Sequence, residues 1–250
     1  QKPKVTTNRS MIKKTFLAKG PEYAGELALL NSRDLFEILK WNRENGVKFF
    51  RLSSDLFPWA SEYNIEDLPQ YGRIKTILSG CGHYAKKHKI RITSHPGPFN
   101  VLVSPREHVV KNTITDLTNH GKVFDLLGLD RSPYNKINIH CNGVYGDKAS
   151  ALNRFCENFE LLPESVKTRL TVENDDKASM YSVKDLMYIH KRIGIPIVFD
   201  YHHHQFCTGD LTEQEALELA ITTWPENVKP VVHYSESKSL HESNEKIKPQ

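Results

Sequence analysis

The sequence predicts an α/β protein, a (β/α)8 barrel of TIM type with six of its eight strands recognisable, and three observations lead there. Six short, apolar, β-branched runs recur along 250 residues, separated by stretches of helical period. Five of the runs end in residues that can bind a metal: ITSHPG gives His95, INIH gives His140, LTVEND gives Glu173, IVFDYHHH gives Asp200 and His203, and VVHYSE gives His233. The length suits one barrel domain over residues 1–250. Right-handed β-α crossovers alone would also allow an open doubly wound sheet. Ligands from five successive strands converge only if the strands curve about a common axis, and that favours the barrel.

Taken in order, the elements begin with a polar stretch, QKPKVTTNRS, that offers no strand. Asn31 and Asp34 read as caps of a first helix with an apolar face of Leu35, Ile38, Leu39 and Trp41, closing before Gly46. The strands are VKFFRLS (47–53), KIRITSH (89–95), KINIHCN (136–142), RLTVEN (169–174), PIVFDYH (196–202) and KPVVHYS (229–235). Their near-continuous apolar character implies burial on both faces. Ser182 with Asp185 and Thr212 with Glu215 form capping boxes, and Gly194 stops the helix before the fifth strand. The closing SLHESNEKIKPQ is polar and charged, without a strand.

Composition removes several classes of function. Hydrophobic residues make up 38% of the chain, enough for a sizeable core, and no apolar run approaches a membrane span. The N-terminus has no apolar signal core, so a soluble, intracellular protein without a membrane partner is expected. Cys81, Cys141, Cys156 and Cys207 form no C-x-x-C pair and no short framework, which excludes a zinc ribbon and a disulfide scaffold. The net charge of +4 suits a polyanionic partner without identifying one.

The ordered motifs TTNR (6–9), FFRLSSDLFPWAS (49–61), HPG (95–97), INIH, YGDK (145–148), VENDD (172–176), FDYHHH, the Thr223–Trp224 pair and VVHYS resemble the UV damage endonucleases. The resemblance covers nearly all of the chain. It implies a TIM barrel that acts as a monomer on damaged double-stranded DNA in repair, nicking on the 5′ side of cyclobutane pyrimidine dimers and 6-4 photoproducts. It also implies two or three divalent metal ions, usually Mn2+, whose activated water attacks phosphorus and leaves a 3′-OH. The family's first strand precedes TTNR and its last follows a further histidine motif, so the chain is expected to lack both.

With that resemblance, the residues divide among metal sites. Glu173 can bridge two ions, His95 and His140 complete one site, Asp200 and His233 the second, and His203 serves a third. Glu173, Asp200 and His233 are expected to carry the chemistry, with Asn174 orienting ligands and Asp175 and Asp176 doing the same or capping the next segment. His241 lies in the region of a missing ligand without the family's sequence context. Some members carry a carboxylated lysine two residues before the last histidine; Val231 stands there, and Lys229 is a further two residues displaced. Phe99 follows HPG where the family has duplex-probing residues and is the expected lesion wedge. Asn8, Arg9, Arg51, Tyr145 and Lys148 are expected phosphate contacts. By strand alternation His202 and His204 point away from His203. A metal-dependent sugar isomerase and a non-catalytic DNA-binding remnant are the alternatives.

Overall fold

In the computed structural model, which describes residues 5–236, six parallel strands pair in sequence order. They are β1 (Phe49–Leu52), β2 (Arg91–Ser94), β3 (Ile137–Ile139), β4 (Leu170–Glu173), β5 (Ile197–Asp200) and β6 (Val232–His233). All six fall inside the runs expected from sequence. β2 and β6 are four strands apart, about 19 Å in a flat sheet at the usual spacing. Yet the rings of His95 and His233, at their ends, have centroids only 5.9 Å apart. The sheet is therefore rolled about an axis in the manner of a TIM barrel.

Helices separate the strands: α1 (Lys13–Glu44), α2 (Tyr71–Lys87), α3 (Glu107–Leu126), α4 (Lys148–Phe159), α5 (Glu164–Lys167), α6 (Val183–Ile193), α7 (Tyr201–His204) and α8 (Glu213–Ile221). Both capping boxes form, at Ser182 with Asp185 and at Thr212 with Glu215. Gly194 closes α6 in the left-handed conformation, φ 75°.

The first helix corrects the sequence reading. It begins at Lys13, is interrupted at Gly20 and Pro21, and runs through Asn31 and Asp34, which are therefore not caps. Both have tertiary partners instead. The fully buried Asn31 amide accepts from Arg9 N at 3.0 Å and donates to the carbonyls of Arg9, Asp55 and Leu56. Asp34 accepts from Thr6 N at 2.9 Å and pairs with Arg9 at 2.6 Å. Leu35 and Leu39 are buried as expected, whereas Trp41 is exposed.

The core lies between the sheet and the helices. Ile92, Ile137, Ile139, Leu170, Val172, Ile197 and Phe199 face outward and pack with Leu35, Leu78, Phe124, Phe155 and Leu186. Each such side chain contributes about 1.5–3 kcal/mol on burial. At the β5 edge, Thr223 Oγ1 accepts from Ile197 N at 2.8 Å and Trp224 Nε1 donates to Ile197 O at 2.8 Å. The Thr–Trp pair thus satisfies strand backbone where β6 does not yet pair, since that ladder joins Phe199 to Val232 and Asp200 to His233.

Candidate metal centre

Alternation along the strands sets Arg91, Thr93 and His95 on one side of the β2 run, Lys136, Asn138 and His140 on that of β3, and Thr171 and Glu173 on β4. These alternate with outward-facing apolar residues, so β3 and β4 line the barrel axis with polar groups. β2 to β5 are buried on both faces as expected, but β1 and β6, at the edges, are partly exposed, and in β3 and β4 only one face is apolar. The candidate ligands are the last of each polar series, at the carboxyl-end mouth.

Glu173 is the hub. It is 1% exposed, and its two oxygens face different partners. Oε2 lies 3.1 Å from His95 Nε2 and 3.7 Å from His140 Nε2. Oε1 lies 2.9 Å from His233 Nδ1 and 3.7 Å from His203 Nδ1, and Asp200 Oδ2 is 4.0 Å from the same His233 nitrogen. Two groups, His95–His140–Glu173 and Glu173–Asp200–His233, each bring three ligand atoms within 4.8 Å of one another. Glu173 belongs to both.

The donor set fits divalent ions by a test independent of spacing. A ligating histidine normally gives its outer N–H to an oxygen, which fixes the ring and leaves the inner lone pair for the metal. His95 Nδ1 faces Pro96 O at 3.2 Å, and His203 Nδ1 faces Asn174 O at 2.9 Å. His140 Nδ1 lies 3.2 Å from Asp175 Oδ1, off the line of a straight hydrogen bond. In His95 and His140 the Nε2 atoms then converge on Glu173 Oε2, a place suited to a cation or a shared proton. With Nδ1 engaged, His203 has Nε2 left to offer, and it belongs to neither three-residue group. His233 is different: its Nε2 is 3.3 Å from Lys136 Nζ.

Charge and burial oppose one another here. Burial pushes the Glu173 carboxyl up, but hydrogen bonds from His233 and His95 and the charge of His140 hold it well below the ordinary carboxylate range. Burial pushes the Lys136 ammonium down to about 7 against the pull of Glu173, with Arg51 and Arg91 adding to the fall. His233 is lowered by burial despite its bond to Glu173. His140 is also opposed by burial, yet it is raised overall by Asp175 and Glu173.

Sequence reasoning missed Lys136, Asn138 and Thr171. All three are buried, and they occupy the polar parity of β3 and β4, a signal hidden within runs that look continuously apolar. Asn174 holds Asp200 rather than Glu173: its Oδ1 accepts from Asp200 N at 2.8 Å and its Nδ2 donates to Asp200 O at 3.1 Å. The histidine run is the helical turn α7, capped by Asp200 Oδ1 on His203 N, so strand alternation does not apply to it. His204 is buried against Phe199, and His202 packs on Phe206.

The other expected site residues divide. Arg51 lines a pocket of about 330 Å³ with His95, His140 and Asn142 at the mouth. Phe99 is 87% exposed on the wall of a second pocket of about 700 Å³, shared with Phe57, Trp59, His95 and Asn100. Asn100 braces that loop by donating to Gly97 O and Asp116 Oδ2. Tyr145 is partly exposed at φ 53°, its ring lying over Gly143 so closely that a Cβ there would meet it at 2.7 Å. Lys148 pairs with Asp185 at 3.0 Å, and Arg9 with Asp34, so both have structural partners. Asn8 is exposed on the N-terminal segment. Lys229 is exposed before β6 begins, and its carbonyl accepts from Arg91. His241 lies outside the described residues. The four cysteines are free and buried, and none belongs to either three-residue group.

Residues 2–248 match the family model described as UV-endonuclease UvdE. The UV-damage endonuclease of Neurospora crassa is 37% identical over 229 residues, covering 87% of this chain and 34% of that protein. The UV DNA damage endonuclease of Bacillus thuringiensis subsp. konkukian is 37% identical over 213 residues, covering 85% of this chain and 66% of that one. The chain therefore spans about a third of the first relative's length and just under two thirds of the second's. The crystal structure of SacUVDE superposes with a TM-score of 0.85 at 34% identity, covering 97% of this chain and 78% of the other.

Proposed function

Because the chain belongs to the UV-endonuclease UvdE family, we propose that it is a DNA repair endonuclease that cuts on the 5′ side of UV photolesions, both cyclobutane pyrimidine dimers and 6-4 photoproducts, and leaves a 3′-hydroxyl. The observation that carries the metal-dependent form of this reading is the division of Glu173, with one ligand group on each carboxylate oxygen. Two divalent ions, which we assign as manganese, would be held by His95, His140 and Glu173 and by Glu173, Asp200 and His233, with His203 available beside them. When bound, such ions supply an acidified water and positive charge for a phosphorus centre gaining electron density.

The reaction is hydrolysis. A water oxygen bonds to phosphorus, the bond from phosphorus to O3′ breaks, and O3′ takes up a proton. Arg51, beside His95 and His140, can hold a non-bridging phosphate oxygen through its guanidinium. Asp175 and the carbonyls of Pro96 and Asn174 keep the histidine rings turned inward. Burial raises the thiols of Cys81, Cys141, Cys156 and Cys207, so none supplies a thiolate nucleophile. A photolesion weakens stacking, so opening the duplex there costs less than at normal bases. Phe99, projecting from a braced loop, would fill the opened step by shape, without hydrogen bonds to base edges. The pocket beside it has the volume of a small-molecule site and room for a displaced base.

The test is supercoiled plasmid, irradiated or not, incubated with the chain and manganese, with chelator as control. Nicked circles are expected only from irradiated plasmid with metal, and end-labelled duplex carrying one lesion should map the cut to its 5′ side. Equal nicking of both plasmids, or none of either, defeats the proposal.

A further inference from the structure

We propose that Asn138 is a positioning residue that makes Glu173 a bridge between two metal ions instead of a chelator of one; the inference rests on the metal reading given above. Asn138 is fully buried on β3, two residues before His140 and on the same parity. Its Nδ2 donates to Glu173 Oε2. Its Oδ1 accepts from Thr171 Oγ1 at 2.7 Å, and Thr171 is fully buried on β4, two residues before Glu173. Asn138 and Thr171 are also register partners across the two strands, so the backbone itself sets them side by side.

The carboxylate, which can only accept, fixes which way the amide points: the NH2 group faces Glu173, since the opposite orientation would set an amide oxygen against a carboxylate oxygen, and Oδ1 is left to accept from the Thr171 hydroxyl, which braces the amide in place. So oriented, Asn138 holds Oε2, the oxygen that faces His95 and His140. Because a carboxylate is planar, Oε1 is then held toward His233 and Asp200. Without this bond the carboxylate could turn and offer both oxygens to one ion, leaving the second site without its shared ligand. Asn138 also occupies one lone pair of Oε2, which leaves that oxygen suited to a single ion. The two supporting side chains are inaccessible to water, so no solvent molecule competes for the bond.

The test compares the full chain with Thr171→Val and with Asn138→Leu/Thr171→Val. The paired change removes donor and acceptor together, so it strands no buried polar atom between them. Manganese binding is read by calorimetry and by electron paramagnetic resonance, with apoprotein melting as a control for fold. The wild-type chain should bind two ions with an exchange-coupled signal. The paired variant should hold the first ion with little change and bind the second about 10–100-fold more weakly, the usual range for loss of a group that orients a ligand. Its signal should become that of isolated manganese. If the paired variant does not fold, Thr171→Val, which removes the hydroxyl that braces the amide, must weaken the second ion more than the first. Two ions held as tightly as in wild type with the coupled signal intact, or equal weakening of both, overturns the role of Asn138. A wild-type chain that binds no manganese overturns the metal reading and this inference with it.

Discussion

Glu173→Gln should abolish metal loading at both sites while leaving the fold and DNA binding in place. The side chain keeps its size, so the change is one of charge. Each proposed site has three candidate ligands and Glu173 is common to both. The first site, otherwise two histidines, loses its only negative charge; the second keeps Asp200. At an effective dielectric of about 20, one unit charge about 4 Å from another is worth about 4 kcal/mol, roughly a thousandfold in affinity, and a divalent ion feels more. At manganese about 100-fold above its dissociation constant, a single bound ion stabilises the wild-type protein by about 2.7 kcal/mol. For a chain of this length that raises the melting midpoint by roughly 5–10 °C. Differential scanning calorimetry with and without manganese should show that rise in wild type and none in Glu173→Gln at the same concentration. Irradiated plasmid should then remain uncut although damaged duplex still shifts on a gel. A variant with the wild-type metal-induced rise, or with wild-type nicking, refutes the shared-ligand argument.

Phe99→Ala removes an 87% exposed ring, so stability should change by less than about 0.5 kcal/mol. The preference for damaged over intact duplex should fall, and unchanged discrimination in a competition assay would show that Phe99 is not the wedge. Asp125 should contribute an acid-sensitive part of the fold: burial raises its carboxyl, but Arg131 and Arg169 lower it further, below its ordinary value of 3.8. A depressed carboxylate stabilises the fold above its unfolded pKa, and that contribution is lost as pH falls through the folded value. Asp125→Asn should therefore flatten the decline of stability below about pH 4. Near neutrality it should lower stability by about 1–3 kcal/mol, because Arg169 keeps its backbone carbonyls but loses its carboxylate. Denaturant midpoints measured across that pH range would check both; an unchanged slope would show that the pair is electrostatically idle.

The strands were legible because their outward-facing residues are apolar and β-branched, and the ligands because five runs end in groups rarely left at a strand terminus without a role. Less was legible where a side chain's partner is remote in sequence. Asn31 resembles a helix cap, since a polar residue ahead of an apolar stripe has that appearance whether it binds its own helix or, as here, Arg9, Asp55 and Leu56. The run after Phe199 looks like more strand, but Asp200 caps His203 N and turns the chain into α7. Arg9 and Lys148 look like phosphate contacts on charge and position in the motifs; only the folded chain brings Asp34 and Asp185 to them. Asn138 and Thr171 stayed hidden because each sits alone between apolar neighbours, where one polar residue reads as noise in a buried strand, and Lys136 because, next to Asn135, it reads as the polar start of its run.

Those hidden residues explain how a buried carboxylate can be kept ionised within a barrel. Barrels of this class usually fill their axis with branched apolar side chains. Here the apolar packing lies outside the sheet, among residues such as Ile139, Val172 and Phe199, and the axis carries Lys136, Asn138, Thr171 and Glu173. An apolar axis would have left Glu173 without donors, and desolvation would have favoured its neutral form, which is a poor ligand. Donation from Asn138, added to the bonds from His233 and His95, opposes that penalty, and Lys136 beneath the site contributes charge only where it is protonated, below about pH 7. Nor can they substitute for ions: Lys136 reaches His233 from below, and the histidine nitrogens above still converge on oxygen. The axis thus supports an ionised carboxylate, while the unmet demand for positive charge is concentrated at the mouth, where metal and phosphate would arrive.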